Sequence, residues 1–446
     1  MKRLWKLAWP MMILGSSRVA MRTTDILVVG FLGSWATAAV GLGDVWLRLV
    51  LFLGLGFGAG TVARVSQGIG AGNYDQAYSA VTQATLISLG FGLIATVVFW
   101  FFGPALIALL GASDRLISEG GLYLKIVGLS AIPRAFYLVS LRGMAGAEDT
   151  FNPMLVGFST TSLNILITVL LVFGWYGFPK LGVLGAAVGT LVGNSLAGLS
   201  CLLILLTPSY RLGFSRSGLT DFAEGWKIIK VGVPRVLTGG VVAAGRVPLN
   251  GILLWFGDTA VAGFQIALRV LILAMMPNWG ISAAAGTYTG QHLGRGEPDR
   301  ASQQGWTAVR LSFLISLPLT ALIVYFRHSV AYLFIREEPT LGIAADFILV
   351  YGAVMIMYCV FKNLSGALEG AGDTVVPMLS AMVGVGLVLA SASLFSGVFG
   401  YGLMAVYLSI VGGYFVRTVM VAGWYEYYSW SDHPAVQTPS SEGGLP

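Results

Sequence analysis

Three ionisable residues stand close together in the first apolar stretch of the chain. In GSSRVAMRTTDILVVG, residues 15–30, Arg18, Arg22 and Asp25 follow one another at i, i+4 and i+7. On a helix that spacing puts all three on one face. A charge at the middle of a membrane costs at least ~2.5–3.5 kcal/mol, so each such residue needs a partner or a use. The second apolar stretch adds Asp44 and Arg48 at i, i+4. Further bases lie inside later stretches: Lys125, Arg134, Arg235, Arg246, Arg269 and Arg417. Two readings of Asp25 stand side by side. It neutralises Arg18 or Arg22, or it is a carboxylate that takes up a proton or a cation.

These residues need a scaffold, and composition says which kind. The chain has 446 residues, 56% hydrophobic and only 10% charged, with a mean hydropathy of +0.80. A soluble protein carries about a quarter charged residues. Twelve apolar stretches of roughly 20 residues, each long enough to cross a ~30 Å hydrocarbon core as a helix, lie near 7–32, 39–66, 79–102, 119–142, 154–174, 182–206, 230–256, 261–288, 306–326, 342–365, 377–399 and 402–423. They do not alternate in polarity as barrel strands would. Sixty glycines, roughly twice the usual share, suit closely packed membrane helices. The opening MKRLWKLAWPMMILG begins like a signal peptide, but no small-x-small cleavage site follows cleanly.

A repeat organises the stretches. GAEDTFNPM at 146–154 returns as GAGDTVVPM at 370–378, 224 positions later. The same offset carries QGIGAGNYDQA (67–77) onto QHLGRGEPDRA (291–301), Gly33 onto Gly257, Pro10 onto Pro234 and Arg22 onto Arg246. The expected architecture is therefore all-α and integral to the membrane. Two parallel six-helix bundles, 1–206 and 230–425, are joined by a polar cytoplasmic linker, 207–229, and followed by a polar, disordered tail, 426–446. Parallel repeats of this kind are used for alternating access. The repeated motif reads as a tight helix–loop–helix turn, with glycines ending one helix and a proline in the first turn of the next; a part in sealing a gate is the other reading. Pro10 and Pro234 read as first-turn prolines, and Pro248 as a kink inside the seventh span.

With an inward N-terminus, one side of the membrane holds Lys2, Arg3, Lys6, Arg64, Arg142, Arg211, Arg216, Lys227, Lys230, Arg295, Arg300 and Lys362. The other holds Arg115, Lys180, Arg327 and Arg336. Cytoplasmic loops are the basic ones, so both termini are expected inside a multi-pass cell-membrane protein. The net charge of +6 is this loop bias and does not point to nucleic acid. Cys201 and Cys359 sit in separate apolar helices and read as packing residues. His292, His328 and His433 are scattered, and no metal or phosphate motif occurs. A membrane enzyme is thus excluded as a reading, and no cofactor is expected.

The two six-helix halves, GAxDTxxPM after helices 4 and 10, and QxxGxG after helices 2 and 8 together resemble the multidrug and toxic compound extrusion (MATE) family of prokaryotic type. The resemblance spans nearly the whole chain up to about 425. It implies a secondary antiporter of the inner membrane, working as a monomer, that expels drugs or other organic compounds in exchange for protons or sodium. In such proteins an aspartate at the place of Asp25 is a coupling residue. Members often carry Asn-x-x-x-Asp in helix 5; here Asn164 matches and Thr168 stands where the second carboxylate would be. Thr190 in helix 6 completes the set. Without that extra charge, proton coupling through Asp25 is the expectation over sodium coupling. The arginine excess departs from a pocket for organic cations. It suggests an anionic, zwitterionic or amphiphilic substrate gripped by Arg22 and Arg246, with Arg18, Asp44 and Arg48 nearby. Flipping of a lipid-linked saccharide is the extreme of that reading.

Overall fold

The computed structural model describes residues 1–437, and among these the regular structure is entirely helical. The first half holds α1 (Lys2–Gly30), α2 (Ser34–Gly70), α3 (Tyr74–Ala108), α4 (Asp114–Gly128), α5 (Ala131–Gly146), α6 (Phe151–Phe173) and α7 (Val183–Leu206). The second holds α8 (Phe222–Leu254), α9 (Asp258–Gly294), α10 (Pro298–Tyr325), α11 (Arg327–Tyr332), α12 (Thr340–Ala371), α13 (Val375–Ser393), α14 (Gly402–Tyr427) and the short α15 (Pro434–Gln437). Ten of these are long and apolar enough to cross a membrane, and α4 with α5, bent by 51°, forms an eleventh span. α1 has 29 residues, or about 43 Å, and differs from the ten by its charged face. Counted as a span, it makes twelve, so the protein is a multi-pass membrane protein.

The bend between α4 and α5 has a local cause. Pro133 lacks an N–H and its ring clashes with the carbonyl four residues back, that of Leu129. The chain tightens there instead, with Leu129 and Ser130 donating to Ile126 and Val127 at 3.2 and 2.9 Å. The position 224 residues on is Met357, and α12 runs through it unbroken.

Pro10 and Pro234 lie inside α1 and α8 rather than in their first turns. The helices start earlier than expected because residues ahead of the prolines pack: Leu4, Leu7 and Ala8 are buried, as is Ile228. Packing divides the chain into two compact units. One comprises Ile13–Ile69 and Asn73–Val233; the other comprises Met1–Met12, Gly70–Gly72 and, among the described residues, 234–437. In the first, Leu47, Ile107, Leu124 and Val127 form the core. In the second, an aromatic ladder runs through it, Phe264 on Phe347 at 5.2 Å and Phe347 on Tyr407 at 4.7 Å.

The repeated motif is a turn in both halves, but its glycines do different work from that expected. Gly146 and Gly370 remain helical. A Cβ on Gly370 would lie 1.9 Å from the Gly286 carbonyl oxygen, and one on Gly146 3.2 Å from that of Val62, so close helix approach is what needs glycine there. The left-handed residue that ends the helix comes two positions later: Gly372 at φ 83° and, in the first half, Glu148 at φ 65°. Each motif aspartate then receives an aromatic donor. Tyr210 gives its hydroxyl to Asp149 Oδ2 at 2.5 Å, and Trp424 its indole N–H to Asp373 Oδ2 at 2.7 Å. Burial and the Asp149 carboxylate push the Tyr210 phenol well above its usual range, which keeps it a donor.

Much of the expected linker is structured. Asp221 caps α8, its Oδ1 accepting from Glu224 N–H at 3.1 Å and its Oδ2 from the Ser79 hydroxyl at 2.6 Å. That hydroxyl holds the Asp221 carboxyl below the ordinary carboxylate range. Glu224, buried, takes Arg64 through both oxygens at 2.5 and 3.0 Å and Lys227 at 3.2 Å. The tail is likewise packed as far as 437: α14 continues to Tyr427, Trp430 is buried against Tyr425 and Tyr428, and His433 Nε2 lies 2.8 Å from Ala371 O. The rest of the tail, 438–446, lies outside the described residues.

Candidate functional site

α1 presents Arg18, Arg22 and Asp25, all half-buried, toward α2, α4 and α5 of its unit. Arg22 Nη2 lies 3.4 Å from Asp44 Oδ2, a loose pair with both side chains about a third exposed. Arg18 donates to the Tyr137 hydroxyl at 3.4 Å and leans over the Tyr137 ring, 5.6 Å from its centre. Asp25 therefore neutralises neither arginine through an ion pair. Its Oδ1 is buried with no hydrogen-bond partner, and the charges acting on it are those of Asp44 and Arg22.

Three more side chains complete this cluster, and sequence reasoning had not grouped them with it. Tyr123 of α4 feels Asp44, Asp25, Arg134 and Arg22; Arg134 of α5 feels Arg22, Asp44 and Arg18. Gly43 makes room for Tyr123, whose ring carbon would lie 2.7 Å from a Cβ there. Tyr137 is the third. The tyrosines escaped because aromatic residues in membrane helices read by default as interface belts. Arg134 stood among the intramembrane bases without a pairing signal. Three guanidiniums and two carboxylates thus belong to one interacting cluster.

Asn164 and Thr168 lie in the same unit, on the seam between α6 and α7. Gly185, Gly189 and Gly193 recur every four residues on α7 and let the backbones meet: a Cβ on Gly189 would sit 2.3 Å from Thr168 Oγ1, and one on Gly193 2.8 Å from Asn164 Cβ. Asn164 Nδ2 donates to Gly189 O at 3.0 Å. Asn164 Oδ1 and Thr168 Oγ1 are buried without hydrogen-bond partners. Thr190 is buried beside them on α7. No hydrogen bond joins Asp25 to Asn164, Thr168 or Thr190 among the described residues.

Two further expected residues have other surroundings. Arg48 is exposed on α2. Arg246 is exposed on α8 and belongs to the other unit, where it acts on Tyr351. Leu249, the counterpart of Asp25 at the repeat offset, lies in the apolar core. A carboxylate missed from the sequence is Glu369, nearly buried in the last turns of α12, where it pairs with Arg235 at 2.6 Å. No cluster of three metal-ligating side chains occurs among the described residues. The arrangement can hold and release a proton or small cation at Asp25, and can grip an anionic group through the guanidiniums.

Similarity to known proteins bears on the family and the fold. The chain is 26% identical over 428 residues to a probable multidrug resistance protein NorM of Thermotoga maritima, covering 94% of this chain and 90% of that one. It is 28% identical over 398 residues to the multidrug resistance protein PmpM of Pseudomonas aeruginosa, covering 87% and 82%. Its fold matches an outward-facing multidrug resistance MATE transporter of the MOP superfamily at TM-score 0.89 and 23% identity, over 96% of this chain and 95% of that one. It also matches a MOP superfamily transporter from Pyrococcus furiosus, noted for the reverse polarity of its binding pocket, at TM-score 0.87 and 24% identity over 96% and 95%. The model of the MatE family matches residues 10–170 and again 248–394. Matched over more than half its length, once in each half, the chain belongs to the MatE family of membrane transporters.

Proposed function

We propose that this protein is a proton-coupled exporter of organic compounds, in which Asp25 takes up and releases the coupling proton. The observation that carries the reading is the buried, unpartnered Oδ1 of Asp25 on a helix whose neighbouring arginines are engaged with Asp44 and Tyr137. α6 offers Thr168 where sodium would favour a second carboxylate, which supports protons over sodium. The names of the relatives extend the substrate class to drugs. Alternation of the Asp25 cluster between the two faces of the membrane, with both termini cytoplasmic and the chain acting as a monomer, completes the proposal.

The test is reconstitution in liposomes with a pH dye, in sodium-free buffer. A cationic drug is expected to drive proton movement in the wild type, and Asp25→Asn to abolish it. Proton movement retained by Asp25→Asn, or a strict need for sodium, overturns the assignment. A second reading is supported by the three guanidiniums of the cluster that holds Asp25 and Asp44: an anionic amphiphile or lipid-linked saccharide is moved instead. A response to anionic amphiphiles and none to cations in the same liposomes selects it. The binding pocket of the Pyrococcus furiosus transporter, described as of reverse polarity, lends support to this second reading.

A further inference from the structure

In the second unit, one deeply buried guanidinium has no acid to answer it. Arg417 lies near the middle of α14 and is only 7% exposed. It forms no ion pair with any described residue. Its guanidinium carbon sits 4.3 Å from the centre of the Phe361 ring and 5.2 Å from that of Tyr414. The groups acting on it are Tyr414 and Tyr358. Its Nε is buried with no hydrogen-bond partner. Gly384 fixes this placement, since a Cβ there would lie 2.2 Å from Arg417 Cγ.

The other unit shows what is missing. Phe361 is the counterpart of Tyr137 at the repeat offset of 224, and Tyr137 also carries a guanidinium, that of Arg18. Each half therefore sets an arginine over the same aromatic position, from different helices. In the first unit Tyr137 offers a hydroxyl and Asp25 and Asp44 supply negative charge. In the second, Phe361 has no hydroxyl and no carboxylate acts on Arg417. Aromatic faces return part of the desolvation cost of a buried cation, while an unpaired buried charge leaves much of it uncompensated. Beside it Tyr414 is half-buried, and Trp279, bonded through its indole N–H to the Tyr358 hydroxyl at 3.0 Å, is 42% exposed. An exposed indole therefore leads to a deep guanidinium.

The geometry points to Arg417 as the receptor for an anionic head group carried on an apolar or aromatic body, with Tyr414, Tyr358 and Trp279 against that body. A sulfonate, a carboxylate or a lipid phosphate all satisfy this chemistry. The inference rests on the export reading only for the use of the site; occupancy needs no gradient and no transport.

The experiment is binding to the purified full chain in non-ionic detergent, with 1-pyrenesulfonate as anionic probe and 1-pyrenemethylamine as its cationic counterpart. Organic phosphate is assayed on the same samples. Either of two results supports the site. Wild type binds the sulfonate at least tenfold more tightly than R417Q, while the amine is unaffected; or wild type retains about one phospholipid per chain that R417Q loses, which identifies the ligand as lipid. Equal sulfonate affinity and equal phosphate in wild type and R417Q overturn it. If R417Q does not fold, R417K and W279A decide instead, because both leave a cation in place. Weakened sulfonate binding or lost phospholipid in both supports the site; affinity and phosphate unchanged in both overturn it. Sulfonate binding that depends on Arg417, in a protein that moves no proton with any substrate, would leave this site standing while removing the coupling proposal.

Discussion

A motif aspartate that caps only its own turn would tolerate replacement cheaply. Asp149 and Asp373 do more, because each also holds a side chain from the end of its half, Tyr210 or Trp424. Removing a hydrogen bond to a charged group costs about 1.5–3 kcal/mol. Tyr210→Phe is expected to lower thermal stability in detergent by that order, and Asp149→Ala to lower it at least as far, since Asp149 also accepts from Asn152 N–H and Nδ2. Stability unchanged in Tyr210→Phe would return the motif to a plain turn. The repetition and proline of GAEDTFNPM were legible in the sequence; its aromatic partners, 51 and 61 residues away, were not, because no local pattern encodes that distance. Asp25 was legible for the opposite reason. Its type is rare inside a membrane helix, so its position alone was informative, whereas Arg134 and Tyr123 joined it through folding alone.

Among the elements, spacing of small residues decides what packs. Gly185, Gly189 and Gly193 bring α7 onto α6, and Gly370 brings α12 onto α9. Overpacking a tight contact costs about 1–3 kcal/mol, and a Cβ 1.9 Å from a carbonyl oxygen cannot be housed by moving a side chain. Gly370→Ala is therefore expected to reduce the yield of folded protein sharply. Gly386→Ala, where a Cβ meets nothing within 4 Å, is expected to leave it unchanged. Equal yields would show that α9 and α12 are free to separate. Sequence reading found all twelve spans because a run of apolar residues measures itself against the hydrocarbon thickness. It placed the starts of α1 and α8 too late because Pro10 and Pro234 read as beginnings. A proline inside a membrane helix is tolerated when neighbouring groups take over the freed carbonyl, and nothing in the local sequence distinguishes the two cases. Polarity marked residues 207–229 as a linker, and the burial of Glu224 by its pairing with Arg64 is a detail that polarity does not encode.

At the scale of the whole molecule, the offset of 224 residues is the strongest single reading, since it gave the architecture before any family was considered. The structure keeps it in detail: Gly33 and Gly257, and Gly72 and Gly296, share positive φ at matching turns. It also shows where the halves have parted, at the Pro133 bend, at Asp25 against Leu249, and at Arg18 against Arg417 over one aromatic position.

Glu148 and Gly372 are one more such parting, and its consequence is that the chain carries its own experimental control. Both residues hold the same left-handed backbone, but only one is built for it. Holding a residue with a Cβ there costs about 1–2 kcal/mol. Glu148→Gly is expected to recover up to about 1 kcal/mol of that, and Gly372→Glu to lose a similar amount, both read as shifts in thermal midpoint. Shifts of the same sign would show that the two turns are no longer interchangeable. A duplicated protein of this kind is a paired experiment that has already been set up, in which each half supplies the untreated sample for the other.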